Sequence, residues 1–231
     1  MRTKLLTDPT FVAFLAWLMH CEGGVDIDLG RFATQIHSTP SLQGRAGGGS
    51  ALAALASLFN ANRNRMFSND PADHGGPTMC GITLRLMQEY NNYADANTLR
   101  AITFDDWAAI YAFEFWCPMR CHKLPADVAF VVADFAVNSG PRRAARFLQK
   151  AYNKVKPKVA PTLSEDGIIG TATICSVHAL IPTQRQMLLD EYLLQRTNFI
   201  TNCVKRGGIN RKFLNGLLRR ARNATLFAFS V

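Results

Sequence analysis

Two short segments of this chain carry residue types that could perform acid–base chemistry on a sugar. In the first, Glu22 precedes Gly23–Gly24 at the end of an apolar stretch. In the second, residues 69–82, two carboxylates and a hydroxyl surround a Gly-Gly pair: Asp70, Asp73 and Thr78. A carboxyl group at the end of an apolar helix, facing a polar loop with a second carboxylate, is an environment that separates two carboxyl pKa values. The sequence therefore predicts one acid that donates a proton and one that stays ionised, as in glycoside hydrolysis.

The elements around these segments can be predicted from local signals. The first apolar stretch predicts a helix with Thr7 or Asp8 as its N-cap, Pro9 in its first turn and an end at the two glycines. The pair Gly75–Gly76 predicts the tight bend of a small β-hairpin. A later helix begins at Thr103 with a capping box, and its aromatic face, which includes Trp107 and Tyr111, is typical of a protein core.

Glu-Gly-Gly followed by Asp-x-x-Asp-x-Gly-Gly-x-Thr-x-x-Gly-Ile resembles the muramidases of glycoside hydrolase family 108, lysozyme-like enzymes that cut bacterial peptidoglycan. The resemblance continues through residues 116–118, 124–125, 133–141 and 166–173. It implies a mainly α fold, lysozyme-like α+β, with a small β-hairpin beside the active-site cleft. Leu217 stands where the family usually has a tryptophan, so the contact of that tryptophan with the cell wall is not expected in this chain.

The resemblance also implies a domain organisation. We expect one lysozyme-like domain over residues 1–231, with a helical peptidoglycan-binding-like segment at about 160–231. Residues 25–66 depart from the family as an insertion, in which a glycine-rich stretch precedes a small-residue helix at about 51–61. The insertion is either a cleft wall, lid or docking surface for a partner, or a tolerated surface excursion.

The family likeness assigns roles to individual residues. Glu22 would protonate the leaving oxygen of the β-1,4 bond between N-acetylmuramic acid and N-acetylglucosamine. Asp73, or less favourably Asp70, would stabilise oxocarbenium charge or activate water, and Thr78 would orient that water. Whether the anomeric centre is inverted or retained depends on the separation of the carboxylates. The substrate-binding candidates are Gly76, Gly81 and Asn138.

Two other functions remain open at this stage. A lytic transglycosylase would cut the same bond with a hydroxyl of the sugar itself, and a wall-binding or secretion-accessory protein would keep the fold without activity. No cofactor or metal is expected, because Cys117, Cys121 and His122 lack a second pair of ligands at zinc-site spacing.

The charge of the chain favours an anionic partner. The net charge is +9, but residues 1–115 carry −3 and residues 116–231 carry +12. A basic half of this kind is typical of a surface that faces a polyanion. No nucleic-acid-binding motif is visible, so the predicted partner is peptidoglycan. No apolar run approaches the roughly 18 residues that a membrane span needs.

Buried polar residues and cysteines raise structural expectations. Asp134 interrupts the apolar run 126–137 and is expected to have a partner, with a structural role favoured. Six cysteines, an even number, are compatible with disulfides in an oxidising compartment or with buried thiols. Under the family resemblance, Cys21 and Cys80 flank the proposed site and could be linked by a disulfide.

The start of the chain bears on the expected location. Asp8-Pro9 lies inside the N-terminal segment 1–24 and no small-residue cleavage site follows, so no cleavable signal peptide is predicted. A wall-degrading enzyme of this kind would act in the periplasm or cell wall of the target bacterium. It would be delivered by a secretion machine as an antibacterial effector, or released through a holin as a phage endolysin. An effector would also have an immunity protein that blocks its cleft.

Overall fold

The structure is a computed structural model that describes residues 5–38, 48–69 and 76–230. The chain divides into two compact units, Met1–Ala112 and Phe113–Val231. Helices predominate in both units, and the first unit also contains a small antiparallel sheet. The predicted fold class, mainly α with a small hairpin, is therefore confirmed. The prediction of a single domain over the whole chain stays a prediction.

The first unit combines helices with three two-residue strands. Its helices are α1 (Pro9–Gly23), α2 (Leu29–Ser38), α3 (Gly48–Ala61), α4 (Arg63–Met66), α5 (Leu84–Tyr90), α6 (Ala96–Arg100) and α7 (Phe104–Tyr111). Its strands, in the order β1-β2-β3, are β1 (Phe67–Ser68), β2 (Thr78–Met79) and β3 (Ile82–Thr83). The helices α2 and α3 pack against α1, so the predicted insertion covers the helix that carries Glu22.

The ends of α1 follow from its sequence. The side chain of Asp8 accepts hydrogen bonds from the backbone N–H groups of Thr10 and Phe11, at 3.0 and 3.4 Å. At the other end, Gly24 adopts a left-handed conformation with φ of 61° and donates its N–H to the Met19 carbonyl oxygen. The predicted helix with its N-cap and its glycine end is confirmed.

The tight turn of the hairpin lies at Cys80–Gly81, which joins β2 to β3. Both residues have positive φ, 45° and 80°, as a type I′ turn requires. The tight bend predicted at Gly75–Gly76 is at a different position, and it stays a prediction. Those glycines fall in the longer connection 69–77 between β1 and β2, and Gly75 lies outside the described residues.

The second unit is helical in the part of the chain that the structure describes. A 3₁₀ turn (Cys121–Lys123) precedes α8 (Ala126–Ser139), α9 (Pro141–Val155), α10 (Thr171–His178), α11 (Pro182–Lys205) and α12 (Leu214–Ala228). The helix α8 packs against α9 and α12, while α11 packs against α9 and α12. Across both units, none of the described helices combines the length and apolar character that crossing a bilayer demands.

A buried ion cluster lies among α8, α11 and α12. Asp134 is fully buried, and its Oδ2 lies 2.6 Å from Nη2 of Arg196. Its Oδ1 accepts a hydrogen bond from Nε of Arg220 at 2.9 Å and lies 2.8 Å from Nη2 of the same residue. The expectation of a partner for Asp134 is confirmed. The partners are two arginine side chains from distant helices, so the carboxylate has the structural role that was favoured.

We expect Asp134→Asn to destabilise the second unit by about 3–5 kcal/mol, because two buried or nearly buried guanidinium groups would lose their counter-ion. Urea unfolding of the purified protein measures this loss. The matched control is Asp127→Asn on the same helix, where Asp127 forms a partly exposed ion pair with Arg185 at 2.7 Å. That change should cost only about 1 kcal/mol. Equal losses from the two variants would contradict a special role for the buried cluster.

Candidate active site

Glu22 lies in the last turn of α1, half-buried and directly beside the β2–β3 turn. A Cβ atom placed on Gly81 would lie 3.0 Å from Cγ and 3.1 Å from Cβ of Glu22, and it would overlap Oη of Tyr111. Only a residue without a side chain fits between these two groups. The structure therefore brings together two of the predicted site residues, Glu22 and Gly81.

The turn next to Glu22 is fixed by hydrogen bonds to the backbone of Cys80. Its carbonyl oxygen accepts one from Nε1 of Trp107 and one from Oη of Tyr111, each at 3.0 Å. Its N–H donates to the Met66 carbonyl oxygen at 3.0 Å. The sequence favoured a core role for Trp107 and Tyr111 over stacking on sugar rings. The signal for their second role was available, since a buried indole N–H or phenol O–H normally has a polar partner.

A second glycine allows the end of α1 to approach the sheet. A Cβ atom on Gly23 would lie 2.9 Å from Sδ of Met66 and 3.0 Å from Sγ of Cys80. Burial raises the pKa of the Cys80 thiol far above its usual range, and the negative charge of Glu22 raises it further. The thiol thus stays protonated, and it adds no second negative charge beside Glu22.

Thr78 and Gly76 belong to the strand and loop that lead into the same hairpin. Thr78 is half-buried in β2 and is paired in register with Ser68 on one side and Thr83 on the other. Gly76 has a φ of 72°, and a Cβ there would meet no atom within 4 Å. Thr83 in turn caps α5 by accepting the Leu86 N–H at 3.1 Å. The hairpin is thereby continuous with a helix that anchors its far end.

The two aspartates assigned to the loop, Asp70 and Asp73, lie outside the described residues. Their roles in stabilising charge or activating water stay predictions. The same applies to the proposed role of Thr78 in orienting water, because that role depends on a neighbouring carboxylate.

Asn138 belongs to the second unit, near the end of α8. Its Oδ1 accepts a hydrogen bond from Nη2 of Arg196 at 3.1 Å, which connects it to the Asp134 cluster. One side of the amide is therefore already engaged within the protein. Its predicted contact with the sugar N-acetyl group stays a prediction.

None of the six cysteines, all of which lie in the described ranges, forms a disulfide. The expectation of disulfides is not supported. For Cys21 and Cys80 the reason is geometric, since Sγ of Cys80 packs against Gly23. Two residues of α-helix correspond to a rotation of about 200°, so Cys21 faces away from the side of α1 that Cys80 contacts.

Metal-ligating side chains do not gather in the described part of the chain. No group of three or more His, Cys, Asp or Glu residues there is arranged to hold a metal ion. Around Cys117 and His122, the structure instead buries Cys121, whose Sγ donates to the Ala129 carbonyl oxygen at 3.6 Å. This cysteine packs the 3₁₀ turn against α8.

Comparison with known proteins identifies two consecutive family segments. Residues 63–140 match the family described as glycosyl hydrolase 108, and residues 143–222 match the family described as predicted peptidoglycan domain. No curated protein sequence matches the chain. Among solved structures, SagA of Brucella abortus is similar with a TM-score of 0.55 and 23% identity, over 76% of this chain and 96% of that one. At that identity the likeness concerns the fold.

These matches confirm the resemblance that the motifs indicated. The chain is a glycoside hydrolase with a glycosyl hydrolase 108 segment, and the segment that follows supports peptidoglycan as its substrate. The match to the hydrolase family begins at residue 63 and contains the hairpin and α8, whereas Glu22 precedes it. The contact between Glu22 and Gly81 is what links the early acid to the matched segment.

We expect Gly81→Ala to lower both stability and activity, because the new methyl group would displace Tyr111 or Glu22 as well as strain a backbone with φ of 80°. The cost should be about 2–5 kcal/mol, with peptidoglycan solubilisation reduced in parallel. Gly24→Ala is the matched control: Gly24 has a φ of 61°, but a Cβ there meets nothing within 4 Å. It should cost only about 1–2 kcal/mol. Similar losses in the two variants would contradict the close packing of Gly81 against Glu22.

Thiol labelling tests the cysteine assignments. In native protein at pH 8.5 we expect a thiol reagent to modify the exposed Cys175, while Cys80 stays unmodified because burial and the charge of Glu22 raise its pKa. After unfolding without a reductant, all six cysteines should react. Mass spectrometry of the labelled peptides gives both results. Fewer than six reactive thiols in the unfolded protein would indicate a disulfide.

Proposed function

We propose that this protein cleaves the β-1,4 bond between N-acetylmuramic acid and N-acetylglucosamine, with Glu22 as the general acid. The observation that carries the proposal is the contact between the Glu22 side chain and Gly81 in the turn of the hydrolase segment. It sets one carboxyl group at the rim of the hairpin that the family motif specifies. The substrate class is supported by the peptidoglycan segment that follows.

The position of Glu22 suits a proton donor. Its stem packs against the turn, and α1 behind it is buried from Phe11 to Met19. A group held in this way loses little freedom when the sugar binds, and it can donate to the glycosidic oxygen as the bond breaks. In this proposal Asp73, or else Asp70, stabilises the developing positive charge or activates water, and Thr78 orients that water.

The decisive experiment compares Glu22→Gln with wild type on purified peptidoglycan. Loss of the general acid should reduce the release of reducing ends by about 10²–10⁴-fold. Stability should change little, because the amide has nearly the same shape as the carboxylate. Asp26→Asn is the matched control, since Asp26 is an exposed acid four residues further on. The Asp26→Asn variant should retain wild-type activity. Equal release of reducing ends by Glu22→Gln and wild type would contradict the role of Glu22 as the general acid.

The same digests distinguish the two reactions that break this bond. Hydrolysis leaves reducing N-acetylmuramic acid ends, which mass spectrometry of the products identifies. A lytic transglycosylase would leave 1,6-anhydro ends, and their predominance would contradict hydrolysis. Binding of peptidoglycan without any product would support the inactive wall-binding alternative.

We place this activity in the periplasm or cell wall of a target bacterium. Disulfides would favour an antibacterial effector over an endolysin, because they would form in the periplasm of the target, but they are not supported. The insertion also favours an effector, since its helices α2 and α3 pack on α1 and offer a surface for an immunity protein. A neighbouring gene whose product binds the protein and blocks its activity would support the effector role. Its absence would favour the endolysin role.

A further inference from the structure

The second unit contains a strongly basic depression at the start of α9. Four cationic residues line it, Arg142, Arg143, Arg146 and Lys150, around a volume of about 580 Å³. No acidic residue is among the described residues that form its wall. In a surface where charges of both signs are normally mixed, such a concentration favours an anionic ligand.

Neutral groups orient two of these arginines. Nη1 of Arg143 donates to the Ser139 carbonyl oxygen at 3.2 Å, and its guanidinium lies 4.6 Å from the ring centre of Phe199. Nε of Arg146 donates to the backbone carbonyl oxygen of Glu165 at 3.0 Å. Backbone carbonyls and an aromatic face hold a guanidinium in place without cancelling its charge. The positive charge thus remains available to a ligand.

The ion pairs further along α9 show where its positive charges are compensated by carboxylates. One turn further along, Lys154 lies 2.7 Å from the carboxylate of Glu191. The pair between Lys150 and Glu165 is long, 3.9 Å, with both side chains more than 40% exposed. The charge is therefore largely compensated at Lys154. At the start of α9, Asp166 interacts with Arg142, whereas Arg143 and Arg146 contact neutral groups.

A second depression continues the first along α9 and α11. The two share Phe147 and Lys150, and the second has a volume of about 540 Å³. Its wall contains Lys154 and Glu165 and contributes several side-chain amides: Asn153, Gln195, Asn198 and Asn202. Amides donate and accept hydrogen bonds to peptide and acetamido groups. We call the two depressions together the α9 groove.

We propose that the α9 groove binds the peptide stems of peptidoglycan, with the arginines holding free stem carboxylates and the amides contacting the peptide backbone. This inference rests on the proposed function for its substrate, and most of the groove lies within the segment that matches the peptidoglycan family. Arginine suits planar carboxylates because its guanidinium can donate two parallel hydrogen bonds. The chain would hold the wall by its peptides and cut it at its sugars.

Single-stranded nucleic acid is a poorer fit to this groove. Proteins that bind such strands stack bases on exposed aromatic faces. Here the rings of Phe147 and Phe199 pack edge to face on each other, with centres 5.8 Å apart, and Arg143 covers Phe199. The aromatic residues of the groove are thus engaged in packing.

The test is sedimentation of the full-length protein with purified insoluble peptidoglycan at 4 °C, in the Glu22→Gln background so that the wall stays intact. Replacing Arg142, Arg143 and Lys150 by Gln should weaken binding about tenfold, the sum expected for three exposed ion pairs. Protein with the unaltered groove should lose a similar amount of binding when the carboxylates of the peptidoglycan have been converted to amides. The triple variant should lose little more on the amidated wall.

Two control variants distinguish the effect of losing this site from the effects of lower net charge and of misfolding. Replacing Lys205, Arg206 and Arg211 by Gln removes the same charge from exposed positions outside the groove and should leave binding unchanged. Arg142→Lys with Arg143→Lys should keep most of the binding. Equal losses from the two triple variants, unchanged binding to the amidated wall, or displacement from the wall by single-stranded DNA at matched charge would each overturn the proposal. Reducing-end release tests Glu22 separately, so a failure there leaves the sedimentation result interpretable.

Discussion

The candidate site depends on one backbone carbonyl. The oxygen of Cys80 accepts hydrogen bonds from the ring donors of Trp107 and Tyr111, both of which are buried. Leaving either donor unpaired in the core would be costly, so the turn and α7 hold each other in one position. Because Gly81 in that turn packs against Glu22, the placement of the carboxyl group follows from the packing of α7. Phe59 of α3 extends this dependence, since its ring packs on Trp107 with centres 5.3 Å apart.

The helices of the second unit are similarly organised around a polar group. Asp134 connects α8 to α11 through Arg196 and to α12 through Arg220. Desolvating three charged groups is expensive, and hydrophobic residues of the same volume could stabilise such a core equally well. What the cluster adds is a set of short distances between charged groups that the three helices must satisfy together. Asn138, which shares Nη2 of Arg196, extends that arrangement to the end of α8.

Local signals in the sequence were sufficient to predict the helices and their ends. They were insufficient to predict the distant residues that these elements contact. The caps at Asp8 and Thr83 and the break at the two glycines follow from side-chain chemistry within a few residues, and all were predictable. The bend of the hairpin was not, because Cys80 adopts a positive φ that cysteine rarely takes and that distant hydrogen bonds stabilise. Burial of Asp134 implied a partner, but its arginines lie far along the chain. The cysteine count likewise says nothing about which side of a helix each thiol faces.

The structural units and the family segments divide the chain at different places. The units separate after Ala112, whereas the hydrolase match ends at residue 140, so α8 belongs to the hydrolase segment and folds within the second unit. Its apolar face packs on the peptidoglycan segment, where Phe135 contacts Phe147 with ring centres 5.3 Å apart. A chain cut between the two family segments would leave that face exposed and Asp134 without either arginine. The peptidoglycan segment is therefore a structural part of the hydrolase, and the α9 groove lies on a body that the hydrolase segment itself helps to build.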